Sequence, residues 1–163
     1  MATGEIVIRS AEPQDLVACA VLISNHESGT LDDWRSRFEG DLANPRRLFL
    51  VATLDDFVVG YGHTTLHSRT SEEDVTTSPS GYFLSGLMVA PDHRREGVGK
   101  LLTIARIEKL SEVTDTIYYR AEPDNKATIE LHSRLGFKSI GTVRSGGKHF
   151  TLFNLELFSD YRP

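Results

Sequence analysis

The sequence has little cysteine, no net positive charge and no long hydrophobic run. Cys19 is the only cysteine among 163 residues, so an intramolecular disulfide or a cysteine-rich metal site cannot form. No apolar run approaches the roughly 20 residues that cross a bilayer, and Met1 to Ser10 lacks the pattern of a signal peptide. We therefore expect a cytoplasmic protein with no membrane partner and no metal.

The formal net charge of −5 argues against a dedicated nucleic-acid binder, since such proteins present an extended basic surface. A chain of this length can bury a sizeable core without disulfides or metals, and we expect one domain covering residues 1–163. A local basic cluster is nevertheless present at Arg94, Arg95 and Lys100. A cluster of this kind suits a small anionic ligand.

The segment Gly81–Leu110 organises the chain. An apolar, strand-like run reaches Pro91, a basic turn follows, and from Gly97 onward apolar residues recur at helical spacing. A helix N-terminus presents unpaired backbone N–H groups, and Gly97 and Gly99 would let a ligand approach the backbone. The pattern predicts a strand, an anion-binding turn and a helix, with a phosphate or pyrophosphate as the ligand.

The remaining segments alternate between strand and helix patterns. Their order, β-α-α-β-β-β-α-β-α-β-β, predicts a mixed sheet covered by helices, an α/β or α+β domain. Gly136 is expected to end the last helix in a left-handed conformation, and Ser68–Ser80 is expected to be a long loop. The predicted strands are Ile6–Ile8, Leu48–Leu54, Phe57–Leu66, Gly81–Ala90, Thr116–Ala121, Lys138–Val143 and His149–Phe158. The other helices are Asp32–Leu42, Asn125–Leu135 and a first helix that has Pro13 in its first turn and Leu16, Ala20 and Ile23 on its apolar face.

The glycine pair does not fit the two best-known nucleotide loops. A P-loop needs Ser or Thr after its lysine, and here Leu101 follows Lys100. A dinucleotide fingerprint needs a third glycine where Leu102 stands. A bare Gly-x-Gly serves close packing at a strand–helix junction equally well, so the turn needs support from elsewhere in the chain.

Two motifs taken together supply that support. Arg94-Arg95-Glu96-Gly97-Val98-Gly99 resembles the Gln/Arg-x-x-Gly-x-Gly/Ala acetyl-CoA motif of the GNAT acyltransferase superfamily. The segment Asn125–Phe137 resembles the other hallmark helix of that family, and its Leu-His-x-x-Leu-Gly-Phe is similar to phosphinothricin-type acetyltransferases. The resemblance implies the GNAT fold, a mixed seven-stranded sheet flanked by about four helices.

The resemblance also implies acetyl-CoA as co-substrate. Backbone groups of Leu87, Met88 and Val89 would pair with its pantetheine arm, and Asn125 would hydrogen-bond that arm, although an N-cap is an equal interpretation of the asparagine. The pyrophosphate would lie on the turn formed by Arg94, Arg95, Glu96, Gly97, Val98, Gly99 and Lys100.

Acetyl transfer from a thioester to an amine requires a neutral amine, a stabilised oxyanion and a proton for the leaving thiolate. By resemblance, a backbone N–H near Met88 or Val89 stabilises the oxyanion, and His132 stands where many relatives place a proton-donating tyrosine. An imidazole titrates near pH 6.5, which suits proton exchange with the thiolate or the amine. The alternative is a structural histidine that packs beside Thr128 and Leu135.

The general base is left open, because the chain departs from two better-known branches of the family. Arg120 stands where ribosomal-protein acetyltransferases carry glutamate, and Ser85 lies near the position of a glutamate in several aminoglycoside and histone-type relatives. The residues that remain are Glu122, which we pair with His132 as the catalytic set, Glu27, His63 and His67, with water as the other route.

Acceptor contacts are expected from the first two helices, their connection and the loop after the third strand. Acidic groups there would attract a cationic amine, although a solvated surface, core aromatics and two half-exposed histidines are the alternatives. The expected contacts are Glu27, Asp32, Trp34, His63 and Ser85, near Asp33, Phe38, Glu72, Glu73 and Asp74.

The leading hypothesis is an N-acetyltransferase that moves the acetyl group of acetyl-CoA to a primary amine of a small molecule. An amino acid, a polyamine or an amine antibiotic such as an aminoglycoside would be the acceptor, and attack would be direct within a ternary complex. The alternatives are a peptide or protein N-acetyltransferase and a non-catalytic acyl-CoA-binding regulatory module. By analogy with relatives, the apolar run Phe150–Phe158 permits a homodimer.

Overall fold

A computed structural model describes residues 4–70 and 77–157. Four α-helices lie within these ranges, together with 3-10 turns at Pro13–Asp15 and Pro91–His93. The strands are β1 Val7–Ser10, β2 Phe49–Leu54, β3 Phe57–His67, β4 Gly81–Val89, β5 Thr116–Ala121, β6 Lys138–Ser145 and β7 Lys148–Glu156. The helices are α1 Leu16–Ser24, α2 Leu31–Ala43, α3 Val98–Leu110 and α4 Lys126–Arg134.

The seven strands form a mixed sheet in the order β1-β2-β3-β4-β5-β7-β6. The pairs β1–β2, β2–β3, β5–β7 and β6–β7 are antiparallel, whereas β4 and β5 run parallel through Tyr82–Ile117 and Phe83–Tyr118. The element order and the mixed seven-stranded sheet with four helices confirm the fold class that the sequence predicted.

The chain forms two compact units, and β4 and α3 contribute residues to both. The first unit comprises the described parts of 1–64 together with 85–106, and the second comprises those of 65–84 and 107–163. Each unit is built around its own apolar clusters.

In the first unit, β2 is buried on both faces. Phe49 and Val51 belong to a cluster with α1 and α2, whereas Leu50 and Ala52 belong to a cluster with α3. This alternation follows from the two-residue repeat of a strand. Each fully buried Phe, Val or Leu side chain contributes about 1.5–3 kcal/mol to the free energy of folding.

Helix α2 of the first unit begins with a matched side-chain cap. The Thr30 hydroxyl accepts the Asp33 N–H at 3.1 Å and the Asp33 carboxylate accepts the Thr30 N–H at 3.1 Å, which satisfies two donors at the start of α2. Before α1, the Asp15 carboxylate accepts two hydrogen bonds from the Arg9 guanidinium, at 2.7 and 2.9 Å. That partner lowers the pKa of Asp15.

Two hairpins join strands that the sequence predicts. Asp55 and Asp56 join β2 to β3 with φ of 49° and 67°, and Gly146 and Gly147 join β6 to β7 with φ of 56° and 77°. Both ladders are antiparallel. The left-handed end of α4 at Gly136 is also confirmed, since its φ is 100°.

Element ends differ from the sequence-based expectation by a few residues. β1 lies at Val7–Ser10 rather than Ile6–Ile8, because its ladder with β2 continues to Ser10. β6 continues beyond Val143, because its ladder with β7 runs to the turn. Residues 71–76 of the predicted loop, including Glu72, Glu73 and Asp74, lie outside the described residues, as does Phe158. Among the described helices, none is long and apolar enough to span a membrane.

Candidate functional site

The turn before α3 has an unusual backbone. After the 3-10 turn Pro91–His93, Arg95 adopts φ of 65° and Gly97 adopts φ of 83°, and the first helical hydrogen bond of α3 runs from the Leu101 N–H to the Gly97 carbonyl. The N–H groups of the first helical turn therefore lie beside a left-handed backbone segment. Such an arrangement favours an anionic ligand.

The two glycines of this turn are required for different reasons. At Gly97 an added Cβ would meet nothing within 4 Å, so its positive φ, rather than close packing, requires glycine. At Gly99 an added Cβ would lie 3.7 Å from the Leu87 side chain and 3.8 Å from that of Val89, which is ordinary contact. Tight packing at the strand–helix junction therefore does not explain the pair.

Charged side chains surround this turn at the surface. Arg94, Arg95, Glu96, Gly97 and Lys100 are exposed, while Val98 is 1% exposed and anchors the turn. The Nη2 of Arg94 lies 3.1 Å from His26 Nε2, and Glu96 pairs with His93 Nδ1 at 3.0 Å. The turn thus combines backbone donors with exposed cationic side chains, which suits a phosphate or pyrophosphate.

The end of β4 carries the residues expected to hold the pantetheine arm. Leu87 and Val89 pack on the cluster with α3, and Met88 packs on the cluster with α1 and α2. All three side chains are half-buried, and Gly86 before them has φ of 57°. The three side chains therefore pack on the two opposite faces of β4. A ligand at this strand would bind the backbone groups.

The expected acceptor residues divide into an exposed and a buried set. Glu27 and Asp32 are exposed near the start of α2, and Trp34 and Ser85 are half-buried. The guanidinium of Arg37 lies 5.3 Å from the Trp34 ring centroid. Exposed carboxylates and an arginine therefore lie together in this part of the first unit.

His63 is buried, and the half-exposed alternative is wrong for it. It is 6% exposed, with the ring centroids of Phe49, Tyr61 and Phe38 at 4.1, 5.3 and 5.4 Å. Burial, followed by the nearby Arg47, Arg106 and Arg37, lowers the pKa of His63 from 6.5 to about 3. A neutral imidazole with so low a pKa is a poor general base near neutral pH.

Glu122 lies in the second unit at an open surface cleft of about 350 Å³, lined by Glu122, Pro123, Asp124, Lys148 and His149. Its carboxylate accepts a hydrogen bond from the Lys148 ammonium at 3.0 Å, and both side chains are well exposed. Asn125 occupies the N-cap position of α4, but its side chain makes no capping hydrogen bond. The side chain of Asn125 is therefore not committed to its own helix.

His132 lies in the interior of the second unit. It is 2% exposed, and its ring stacks on Tyr119 with centroids 3.7 Å apart and planes 2° apart. Nδ1 lies 2.8 Å from the Thr128 carbonyl oxygen, and because a carbonyl only accepts, Nδ1 carries the proton. The other ring nitrogen, Nε2, is also buried.

Sequence reasoning missed two residues beside these sites. Tyr119 stacks on His132, and its hydroxyl lies 2.7 Å from Thr128 Oγ1. Arg106 is 1% exposed and occupies the apolar face of α3 between Leu102 and Leu110. A charged residue four positions from leucines on both sides was the available signal, because it breaks the apolar stripe of the helix.

The fold and the glycine turn agree with the family that sequence comparison identifies. The sequence model of the Acetyltransferase (GNAT) family matches residues 14–137, and the chain belongs to this family. The protein yncA of Salmonella typhimurium, solved with its cofactor acetyl-CoA, shares the fold with a TM-score of 0.73 at 21% identity, over 97% of each chain.

The chain also matches part of the sequence of several other proteins. The chain is 30% identical over 141 residues to an uncharacterized protein of Mycobacterium leprae, over 83% of this chain and 35% of that protein. It is 28% identical over 124 residues to the mycothiol acetyltransferase of Pseudarthrobacter chlorophenolicus, over 74% and 37%. It is 30% identical over 100 residues to an N-alpha-acetyltransferase of Sulfurisphaera tokodaii, over 59% of each. The chain thus spans about a third of the length of the first two relatives.

Proposed function

We propose that this chain is an N-acetyltransferase that moves the acetyl group of acetyl-CoA to a primary amine of a small molecule. The observation that carries the proposal is the turn Arg94–Lys100, where a left-handed backbone, exposed cationic side chains and the start of α3 converge. Membership of the GNAT family supports acetyl transfer as the reaction.

The residues present fit acetyl-CoA as donor. The N–H groups at the start of α3 would bind the pyrophosphate, because they combine hydrogen-bond donors with the positive end of the helix dipole. Arg94, Arg95 and Lys100 would add charge-assisted contacts, and the open space at Gly97 leaves room for the phosphates. The backbone of Leu87–Val89 would bind the pantetheine arm, with Asn125 as a further hydrogen-bonding group.

The acceptor amine would attack the thioester carbonyl and form a C–N bond, and a backbone N–H near Met88 or Val89 would stabilise the negative charge on the oxygen. The C–S bond would then break, and coenzyme A would leave as the thiolate. His132 would exchange the proton that leaves the amine and reaches the thiolate. Its Nδ1–H is held by the Thr128 carbonyl, so the exchange would run through Nε2. Glu122 is the further candidate base, since it is exposed at the open cleft.

A small cationic amine is the acceptor class that we favour. Glu27 and Asp32 present exposed carboxylates, which attract an ammonium group before it loses its proton. Trp34 and Ser85 are the half-buried members of the expected contact set. His63 is buried, so it would support the neighbouring residues of the acceptor site rather than contact the acceptor itself. Similarity to a mycothiol acetyltransferase also supports a small-molecule acceptor.

A peptide or protein acceptor is the second candidate. The similarity to an N-alpha-acetyltransferase favours it. Against it, Arg120 stands where a catalytic glutamate is expected in the ribosomal type, and its guanidinium donates to the Ser78 hydroxyl at 3.0 Å. We place the reaction in the cytoplasm and propose a homodimer, which light scattering of the purified chain would test.

Release of free thiol from acetyl-CoA, measured across a panel of amines, aminoglycosides and peptides, tests the proposal. We expect turnover with a small amine. Preferred turnover of a peptide would favour the second candidate, and tight acetyl-CoA binding without thiol release from any acceptor would indicate a non-catalytic module. Absence of acetyl-CoA binding would overturn the assignment.

Two substitutions test the assigned roles with matched controls. Gly97→Ala should weaken acetyl-CoA binding about tenfold, whereas Gly146→Ala, which also replaces a glycine of positive φ in open space, should not. His132→Ala should lower turnover strongly and leave acetyl-CoA binding nearly intact, whereas the exposed His149→Ala should change neither. Unchanged turnover in folded His132→Ala would remove His132 from the mechanism.

A further inference from the structure

Arg106 is an arginine of the first unit whose charge lies in the interior. It is 1% exposed, and burying a guanidinium is costly unless its donors are satisfied by good hydrogen bonds. Its donors bind the carbonyls of His63 at 2.9 Å, Ser85 at 3.0 Å and Leu102 at 3.3 Å. Backbone carbonyls from β3, β4 and α3 therefore surround the guanidinium.

The hydrogen bonds of Arg106 join two strands through one nitrogen. Nη1 donates to the His63 carbonyl on β3 and to the Ser85 carbonyl on β4. Because the Ser85–Gly86 peptide is trans, its N–H points to the opposite side from the carbonyl that Arg106 holds. The orientation of this peptide plane, and hence of the strand that leaves it, depends on Arg106.

The same side chain reaches the glycine turn. Nη2 of Arg106 donates to the Thr103 hydroxyl at 3.1 Å, and that hydroxyl donates to the Gly99 carbonyl at 2.7 Å. One buried guanidinium is therefore connected to both segments that the proposed function assigns to acetyl-CoA, the end of β4 and the first turn of α3.

Two glycines provide the space for this arrangement. A Cβ at Gly62 would lie 3.0 Å from Nε of Arg106, and a Cβ at Gly86 would lie 2.8 Å from Nδ1 of His63. Gly86 also has φ of 57°, which other residues rarely adopt. Gly86 therefore interrupts the extended backbone of β4, a point called the bend of β4 below, and it directly follows the carbonyl that Arg106 binds.

We infer that Arg106 is a positioning residue: its hydrogen bonds fix the bend of β4 at Ser85–Gly86 and join it to the first turn of α3, presetting both for the co-substrate. The inference rests on the proposed function for the identity of that co-substrate. The planar fork of an arginine, which binds several carbonyls at once, suits this role better than the single ammonium of a lysine.

The test compares Arg106→Met and Arg106→Lys with Arg9→Met. Arg9 is also hydrogen-bonded in the first unit, through two bonds to Asp15, so its loss reports on general destabilisation. Hydrogen exchange of the Gly86–Val89 amides is measured without ligand, relative to the amides of β2, and acetyl-CoA binding is measured by calorimetry.

In Arg106→Met we expect at least tenfold faster exchange of these amides relative to β2, and at least tenfold weaker acetyl-CoA binding. Arg106→Lys should recover part of both effects, and Arg9→Met should stay within twofold of wild type in both. Should Arg106→Met fail to fold, Thr103→Val keeps the arginine and should give smaller changes in the same direction.

Unchanged exchange and binding in a folded Arg106→Met would overturn the inference, as would equal changes in Arg9→Met. If the wild-type chain does not bind acetyl-CoA, the proposed function fails. The exchange measurement, which needs no ligand, then decides by itself whether Arg106 sets the bend of β4.

Discussion

His63 should make the protein lose stability in mild acid. In the folded chain its imidazole is 6% exposed and faces Arg47, Arg106 and Arg37, with the Asp41 carboxylate 4.0 Å from Nδ1. The pKa of His63 is therefore lowered to about 3, from 6.5 in the unfolded chain. Below pH 6.5 the imidazole of His63 therefore binds a proton in the unfolded state but stays neutral in the folded state until the pH nears 3.

The size of this effect follows from proton linkage. A group whose pKa is lower when folded gives stability that is present above the unfolded pKa and lost as the pH falls. With pKa values of 6.5 and about 3, the free energy of unfolding falls by about 2 kcal/mol between pH 7.5 and 5.0 through His63 alone.

Urea unfolding at the two pH values measures this loss. Wild type should lose about 2 kcal/mol more than His63→Gln, because glutamine does not titrate and other groups contribute equally to both. The exposed His149→Gln should behave like wild type. Equal pH dependence in wild type and His63→Gln would refute the reasoning, as would titration of the His63 ring signals between pH 7.5 and 5.0 in the folded protein.

Three further predictions concern the first unit. Burial raises the pKa of the Cys19 thiol to about 12, so an alkylating reagent at pH 8 should label it only after unfolding, and rapid labelling of the native chain would contradict this. Gly62→Ala should destabilise the fold by about 1–3 kcal/mol, because its Cβ would press on Arg106. Gly40→Ala, in open space within α2, should instead stabilise the fold by up to about 1 kcal/mol. Thermal unfolding measures both changes. Thr30→Ala removes the N-cap of α2 and should cost about 1 kcal/mol in urea unfolding, while Thr30→Ser should cost little.

Local chemistry explains why so much of the fold could be predicted from the sequence. Periodicity of apolar residues, the paired aspartates at Asp55 and Asp56, and the glycine at Gly136 each act over a few residues, and the structure confirms the elements that they predict. The glycine turn before α3 is of the same kind, because the positive φ of Gly97 is a property of the backbone at that point.

Burial of particular polar side chains could not be predicted in this way. β3 is covered on both faces through most of its length, so its sequence does not show the simple alternation that would tell a buried histidine from an exposed one. His63 and His132 both lie in the interior, and each is placed by aromatic rings that come from other elements.

Neighbouring residues and short motifs are enough to specify the order of the elements, the GNAT resemblance and the turn that would bind a pyrophosphate. Tertiary packing is what makes His63 neutral and enclosed, buries His132 with its Nδ1 on the Thr128 carbonyl, and holds Arg106 against the Ser85 carbonyl of β4. These properties arise from contacts between residues far apart in the chain, where desolvation and the field of distant charges set protonation and orientation.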